Sequence, residues 1–380
     1  MIKSIIITHQ YPLDAPGGGT RSCVQIAQHL EKMGVEVILI PVSGIQNQQI
    51  NSNFTQVTPV STHPGHYLLS SCYVAQTVKN IIETKQVDAV ISWDYEGAFL
   101  PKLLKDAKVP FGIIAARPSY EEWIKRKTGG LIKYLTDEWF RWRLLKKANV
   151  VFVSSNYTQE EIMNLFQINS ERIKITHRGI DNIFAQVKRS QPEQITNFIF
   201  YGSFAPIKGV FDAIAALGGV RDNKNWTLKL AGWHNEEAVK EAIRQQGIEK
   251  QVSLLGKLTP EELVKELEWA HVAILPSQAE SFGRAIAEAQ AAGLPVISYD
   301  TGSIPEIVEN SVTGWLAPHK RVDMLAKAIT EAIENPEQTF HMGIKGRERV
   351  TKLFSWENTA KLILEGIETA KLEKLSSQLR

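Results

Sequence analysis

Short apolar, β-branched runs alternate with helical patterns along most of the chain. "KSIIIT" leads into a helical stretch from about Arg21 to Met33, and "VEVILIPV", "VDAVISW", "VPFGIIAA" and "NVVFVSS" continue the series. Each run is short, bounded by turn residues, and lacks a clean period of two. A strand with one wet face alternates apolar and polar positions, whereas a strand covered on both faces does not. The pattern therefore predicts parallel strands buried between helices, in a doubly wound α/β sheet. It breaks at about residues 184–196, where "FAQVKRSQPEQITN" is polar, holds a proline and has no period. It then restarts with "NFIFYGS", "WTLKLAGW", "QVSLLGKL", "HVAILPS" and "LPVISYD". Two similar halves are expected, residues 1–188 and 189–355, with a helical tail at about 321–334, 336–353 and 356–373. Ligands of such sheets bind outside the carboxyl ends of the strands, so a cleft between two such domains is the expected site.

A length of 380 residues agrees with two domains rather than one core. Apolar residues make up 43% and charged residues 22%, an ordinary globular balance. The net charge of +2 favours neither nucleic acid nor a strongly acidic partner. There is no apolar run long enough for a transmembrane helix, and the opening "MIKSIIITHQYP" lacks the cleavage site of a signal peptide. Two cysteines, Cys23 and Cys72, make neither a disulfide framework nor a zinc site. The cytosol is the expected compartment.

Chemistry is sought in the loops after the strands. The first strand ends in "HQYPLDAPGGGTRS", where Gly17, Gly18 and Gly19 open a helix. Glycines let a backbone approach a ligand closely, and a helix start offers amides to an anion. The same turn reads equally well as a tight turn without ligand. The second strand ends without an acidic residue, which argues against NAD. In the second half, "FIFYGSFAPIKGVFDAI" places Gly202 and then Lys208-Gly209 ahead of a helix. A lysine there can meet a phosphate as a point charge, or simply be solvated. In "AESFGRAIAE", Glu280 stands in the loop after "HVAILPS", Phe282-Gly283 is the helix entry, and Glu288 lies a turn inside. The amides of 282–284 and Arg284 could hold a diphosphate, Glu288 a ribose diol and Glu280 the hydroxyls of a sugar. Taken alone, each glutamate reads first as a surface carboxylate.

Together these stretches resemble the retaining glycosyltransferases of family 4. "ESFGRAIAEAQAAGLPVISYDTGSIPEIVENSVTGWL" looks like the family's Glu-x7-Glu signature, "YGSFAPIKG" its phosphate loop, and "QVSLLGKLTPEELVKELEWAHVAILPS" the run leading into the signature. "ITHRGID" sits where the family has a turn before the linker. The resemblance is strong over the second half and looser over the first. It implies a GT-B fold, two Rossmann-like doubly wound domains facing a central cleft, with the last helix (356–380) crossing back to the first domain. It also implies that Lys208 binds the donor diphosphate, Glu288 the ribose, and Glu280 the transferred sugar. The amides around Phe282, Gly283 and Arg284 would hold phosphate or sugar oxygens, the backbone near Leu258 the base, and Gly18 and Gly19 would close over the donor. Lys208, Glu280 and Arg284 are the catalytic candidates.

The chain departs from the family pattern at three places. Ser203 follows the glycine of "YGSF" where arginine is frequent, so Arg284 is the expected replacement cation. Arg117, in "IIAARPSY", stands where an acceptor-side histidine is frequent, and Arg178 stands where asparagine is usual. His9 is either a substitute for that histidine or a structural loop residue. With Arg117 and Arg178 it completes the acceptor-side candidates.

The resemblance implies transfer of a hexose, best glucose from UDP-glucose, to a polysaccharide or lipid-linked oligosaccharide. Same-face attack without a protein nucleophile is expected, and no metal or other cofactor, since the chain has no Asp-x-Asp. A GDP-mannose-dependent mannosyltransferase, a nucleotide-sugar epimerase and a non-catalytic nucleotide-sugar-binding subunit are the alternatives. One further stretch stands out. Residues 123–149, "WIKRKTGGLIKYLTDEWFRWRLLKKAN", carry eight Lys or Arg against Asp137 and Glu138. This suits an amphipathic surface on anionic lipid at the inner face of the plasma membrane. The plainer reading is a helix that packs Trp139, Phe140 and Trp142 inward.

Overall fold

The computed structural model describes residues 2–9, 18–41, 55–56, 67–93, 97–115, 131–191 and 195–378. The chain divides into two compact units, Met1–Gly179 with Trp356–Arg380, and Ile180–Ser355. The division lies ahead of the polar break near residue 190, because Ile180, Phe184 and Val187 are buried in the second unit's core.

The first unit holds a seven-stranded sheet. Its strands are β1 (Ser4–His9), β2 (Glu36–Pro41), β3 (Thr55–Gln56), β4 (Ala89–Trp93), β5 (Phe111–Ile114), β6 (Val150–Val153) and β7 (Ile173–Ile175). All pair in parallel, in the order β3-β2-β1-β4-β5-β6-β7. Successive side chains of a strand point to opposite faces, and here both faces are covered. Ile5 and Ile7 join a cluster with Ile26 and Leu30 of the helix Gly18–Lys32 and with Ile363 and Ile367 of the helix Trp356–Gln378. Ile6 joins a second cluster with Val74, Leu144 and Ile162. Asp88 pins the C-terminal helix to the sheet by accepting from Lys371 Nζ at 2.6 Å and from the amide of Lys3 at 2.7 Å.

The second unit holds a six-stranded sheet. Its strands are β8 (Thr196–Ser203), β9 (Trp226–Trp233), β10 (Val252–Gly256), β11 (Val272–Ile274), β12 (Val296–Asp300) and β13 (Gly314–Pro318). The order is β10-β9-β8-β11-β12-β13, again all parallel. Each sheet starts at an inner strand and is wound outward both ways, which makes both units Rossmann-like, the pair of domains that defines the GT-B fold. Every apolar run quoted above is a strand. The strands that escaped the pattern, β3, β7 and β13, are all sheet edges.

The helix Leu131–Lys147 reverses the plainer expectation for the basic aromatic stretch. Trp139 and Trp142 are exposed, at 49% and 43%, while Arg141, Leu144, Leu145 and Ala148 are buried. The inward set falls at i, i+3, i+4 and i+7, one helical face, which puts the two tryptophans on the other. Arg141 is neutralised by an ion pair with Glu138, and Arg143 lies over the Trp139 ring at 5.6 Å. Residues 123–130 of the stretch lie outside the described residues.

Candidate functional site

In the second sheet the winding reverses at β8, which pairs with β9 on one side and β11 on the other. A switch point leaves two adjacent strand ends whose loops turn opposite ways, and a crevice opens between them. The loop after β8 carries Lys208, and the loop after β11 carries Glu280.

Local chemistry fixes both loops. Ser203 Oγ accepts from the Ala205 amide at 3.3 Å and shapes the turn out of β8. Pro206 starts a 3-10 turn that ends at Lys208, and Gly209 follows with φ +78°. A Cβ on Gly209 would collide with the Pro276 carbonyl, so this position needs glycine for both conformation and space. The two loops are then tied together. Gln278 donates its amide to the Ile207 carbonyl at 2.8 Å and its side-chain NH2 to Asp212 at 3.3 Å. Asp212 also accepts from the buried Tyr299 hydroxyl at 3.0 Å. Burial and then the Asp212 charge push that phenol's pKa well above its ordinary value, so it stays a donor. Behind Glu280, Ser303 donates its amide to the Glu280 carbonyl at 3.2 Å, and the backbone packs so closely there that Gly302 has no space for a Cβ.

On this frame Lys208 Nζ meets Glu280 Oε1 at 2.7 Å, with side chains 39% and 15% exposed. One helical turn inside the helix Arg284–Ala291, Arg284 Nε meets Glu288 Oε1 at 3.1 Å. Arg284 Nη1 is buried with no hydrogen-bond partner among the described residues. Glu288 is 6% exposed, which excludes its reading as a surface carboxylate. Tyr201 closes the floor. Its hydroxyl donates to the Ala285 carbonyl at 2.5 Å, and burial, with Glu288 close by, pushes its pKa well up.

The remaining candidates separate clearly. Gly202 has φ +135° with open space where a Cβ would lie, and Gly283 has φ +81° and caps the helix Arg284–Ala291. The ring of Phe282 is core, packed edge-on to Phe354 at 5.2 Å, so only its main chain could serve a ligand. Leu258 is partly buried against the second core. Trp233, which no sequence motif marked, is 41% exposed at the end of β9, directly opposite Ser203, with Lys257 over its ring at 5.9 Å. Gln278, Asp212, Tyr299, Gly302 and Ser303 also escaped the sequence reading. A turn signal after β12, "DTGS", was the one clue to the last two.

In the first unit, Gly18 opens the helix Gly18–Lys32 with Gly19 in its first turn, and His9 ends β1. The side chain of His9 and all of Arg117 lie outside the described residues. Arg178 donates to Ser22 Oγ at 3.1 Å and stands over the Trp93 ring at 5.6 Å. It lines a small hollow with Ser154 and His177 at the carboxyl ends of β4 and β6. His177, at φ +46°, donates from Nδ1 to the Ser154 carbonyl at 3.1 Å. Among the described residues no group of three His, Cys, Asp or Glu could hold a metal ion, and no helix is long and apolar enough to cross a membrane.

Comparison with known proteins agrees with this geometry. A family model described as "Glycosyltransferase Family 4" matches residues 16–182, and one described as "Glycosyl transferases group 1" matches residues 181–349. An uncharacterized glycosyltransferase of Methanocaldococcus jannaschii is 25% identical over 100% of this chain and 99% of its own. A glycogen synthase of Mycobacterium tuberculosis is 29% identical over 57% of this chain, about half of its own length (53%). Among solved structures, the Anabaena protein HepE in complex with UDP-glucose has the same fold, with a TM-score of 0.76 at 19% identity over 96% of this chain and 99% of that one. Two glycosyltransferase models in tandem, on two doubly wound units, make this protein a glycosyltransferase of the GT-B superfamily.

Proposed function

We propose that the protein is a nucleotide-sugar-dependent glycosyltransferase of the retaining kind, moving glucose from UDP-glucose to a saccharide or lipid-linked acceptor without a metal ion. The observation that carries this reading is the convergence of Lys208, Glu280, Arg284 and Glu288 on the switch point of the second sheet. Two cations suit a diphosphate, and two carboxylates suit the hydroxyls at its two ends. The likeness to HepE, solved with UDP-glucose, supports uridine and glucose over other donors.

In the reaction, the bond from sugar C1 to the phosphate oxygen breaks. A bond from C1 to the acceptor oxygen forms on the same face, and the departing phosphate takes the acceptor proton. Lys208 and Arg284 offset the charge that grows on the diphosphate, and fixed loops hold the reacting atoms in line. Arg178 and Trp93 serve the acceptor side.

A thermal-shift panel with UDP, GDP, ADP and their hexose conjugates tests the reading, because a ligand that binds only the folded state raises the melting temperature. A shift confined to uridine compounds is expected, unchanged by EDTA. No shift with any nucleotide would overturn the donor-site reading, and a response to guanosine compounds alone would transfer it to GDP-mannose.

The exposed Trp139 and Trp142, with Arg143 and Lys147 on the outer face of their helix, support peripheral contact with an anionic membrane on the cytoplasmic side. Indoles favour the headgroup layer, and the basic side chains favour its charge. Vesicles containing phosphatidylserine should sediment the protein at low salt, and Trp139→Ala with Trp142→Ala should abolish it. Equal sedimentation of the double variant would end this part of the proposal.

A further inference from the structure

Lys208 and Glu280 are held by rigid backbone yet joined only at their tips. The Lys208 amide donates to the Ala205 carbonyl at 2.8 Å, and the next residue is wedged against the Pro276 carbonyl. The Glu280 carbonyl accepts from both the amide and the hydroxyl of Ser303, at 3.2 and 3.3 Å. Neither main chain can retreat without breaking these contacts, so the 2.7 Å ion pair opens by side-chain rotation alone. Resting on the donor-site reading, we propose that Glu280 is an internal competitor for the donor diphosphate. Lys208 exchanges the carboxylate for a phosphate, and Glu280 exchanges the ammonium for sugar hydroxyls.

The exchange has a cost that depends on the ligand. Glu280 is only 15% exposed, so water solvates its released carboxylate poorly. A nucleoside diphosphate offers phosphate to Lys208 but nothing to Glu280. A nucleotide sugar offers both partners, because the hexose hydroxyls donate to the carboxylate. The pair therefore selects donor over the spent nucleotide, and its re-formation after transfer helps to expel that nucleotide.

Calorimetric titration of UDP and UDP-glucose into the whole protein and its variants tests the proposal. Glu280→Gln should bind UDP about fivefold more tightly than wild type, while its preference for UDP-glucose over UDP falls by a similar factor. A carboxylate near a diphosphate would also weaken UDP by plain repulsion, so a double-mutant cycle separates the two causes. In a Lys208→Met background the gain from Glu280→Gln should shrink to less than twofold. An equal gain in both backgrounds overturns the exchange and leaves repulsion. Unchanged or weaker UDP binding by Glu280→Gln overturns both. If wild type and all variants ignore every nucleoside diphosphate, the donor-site reading itself fails, and the exchange falls with it.

Discussion

The two sheets share a plan and differ in what stands at its focus. Each reverses its winding beside its first strand, at β1 in one unit and at β8 in the other. At the β8 end Lys208 and Glu280 meet across the loops, Arg284 and Glu288 pair on the helix that follows, and the loops are cross-tied through Gln278, Asp212 and Tyr299. At the carboxyl end of the first sheet Arg178 is held by a hydroxyl and an indole face. The topology supplies a place for a ligand in both units. The proposed function puts the diphosphate at the charged pairs and the acceptor at the arginine stacked on an indole, two different kinds of site on the same topology.

The sharpest way to break that contrast is Lys208→Met. Removing a cation aimed at charge that develops during the reaction should lower turnover about 100- to 1,000-fold. The melting temperature should move little, because the lysine is partly exposed and its ion pair contributes modestly to stability. A loss below threefold in UDP release with a competent acceptor would show that the β8 end does not carry the chemistry.

A pair of glycines sharpens the comparison on the stability side. Gly209 and Gly34 both have left-handed backbones, at φ +78° and +84°. A Cβ on Gly34 meets nothing within 4 Å, whereas one on Gly209 meets main chain. Gly34→Ala should therefore cost only about 1 kcal/mol for conformation. Gly209→Ala should cost about 2–4 kcal/mol and reduce activity as well, since relief requires Lys208 to move. Urea unfolding of the two variants, with equal midpoints, would show that the loop after β8 is more compliant than its packing indicates.

Much of this was legible in the sequence, for physical reasons that also mark the limits. Strands buried on both faces declare themselves as apolar runs. Three of the four edges, β3, β7 and β13, carried less of that signal, each having a neighbour on one side only, whereas the edge β10 still showed it. The Glu280 and Glu288 spacing marked the site, but a glutamate's usual exposure hid that Glu288 is buried beneath Arg284. The loop ties join residues 66 and 87 positions apart, a relation that no local pattern encodes. Composition described the stretch around Trp139 without fixing its helical phase, and that phase put the tryptophans outside.

On the first unit, Arg178→Ala should leave UDP affinity within twofold and lower turnover about tenfold, since an arginine that positions an acceptor acts after donor binding. Calorimetry and steady-state kinetics measured together decide it. A fall in UDP affinity equal to the fall in turnover would make Arg178 a donor residue and dissolve the division of labour between the two sheets.

The smallest effect is expected at the opposite end of the second sheet, where His271 precedes β11. Its Nδ1 accepts from the Asn197 amide at 3.0 Å, and burial, followed by the Arg189 charge, lowers its pKa to about 4. An unfolded histidine titrates near 6.5, so between about pH 6.5 and 4 the unfolded chain binds a proton that the folded chain refuses. Stability contributed by neutral His271 is complete above that window and is lost as the pH falls through it. His271→Asn keeps an acceptor near Nδ1 but does not titrate. It should match wild type to within about 1 kcal/mol at pH 7.5, as a single neutral hydrogen bond is largely retained. Its stability should then fall less steeply than that of wild type down to pH 4.5 in urea titrations. Parallel profiles would assign the acid sensitivity to other groups and would leave the carboxyl end of this sheet, with its two ion pairs, as the place where its charges matter most.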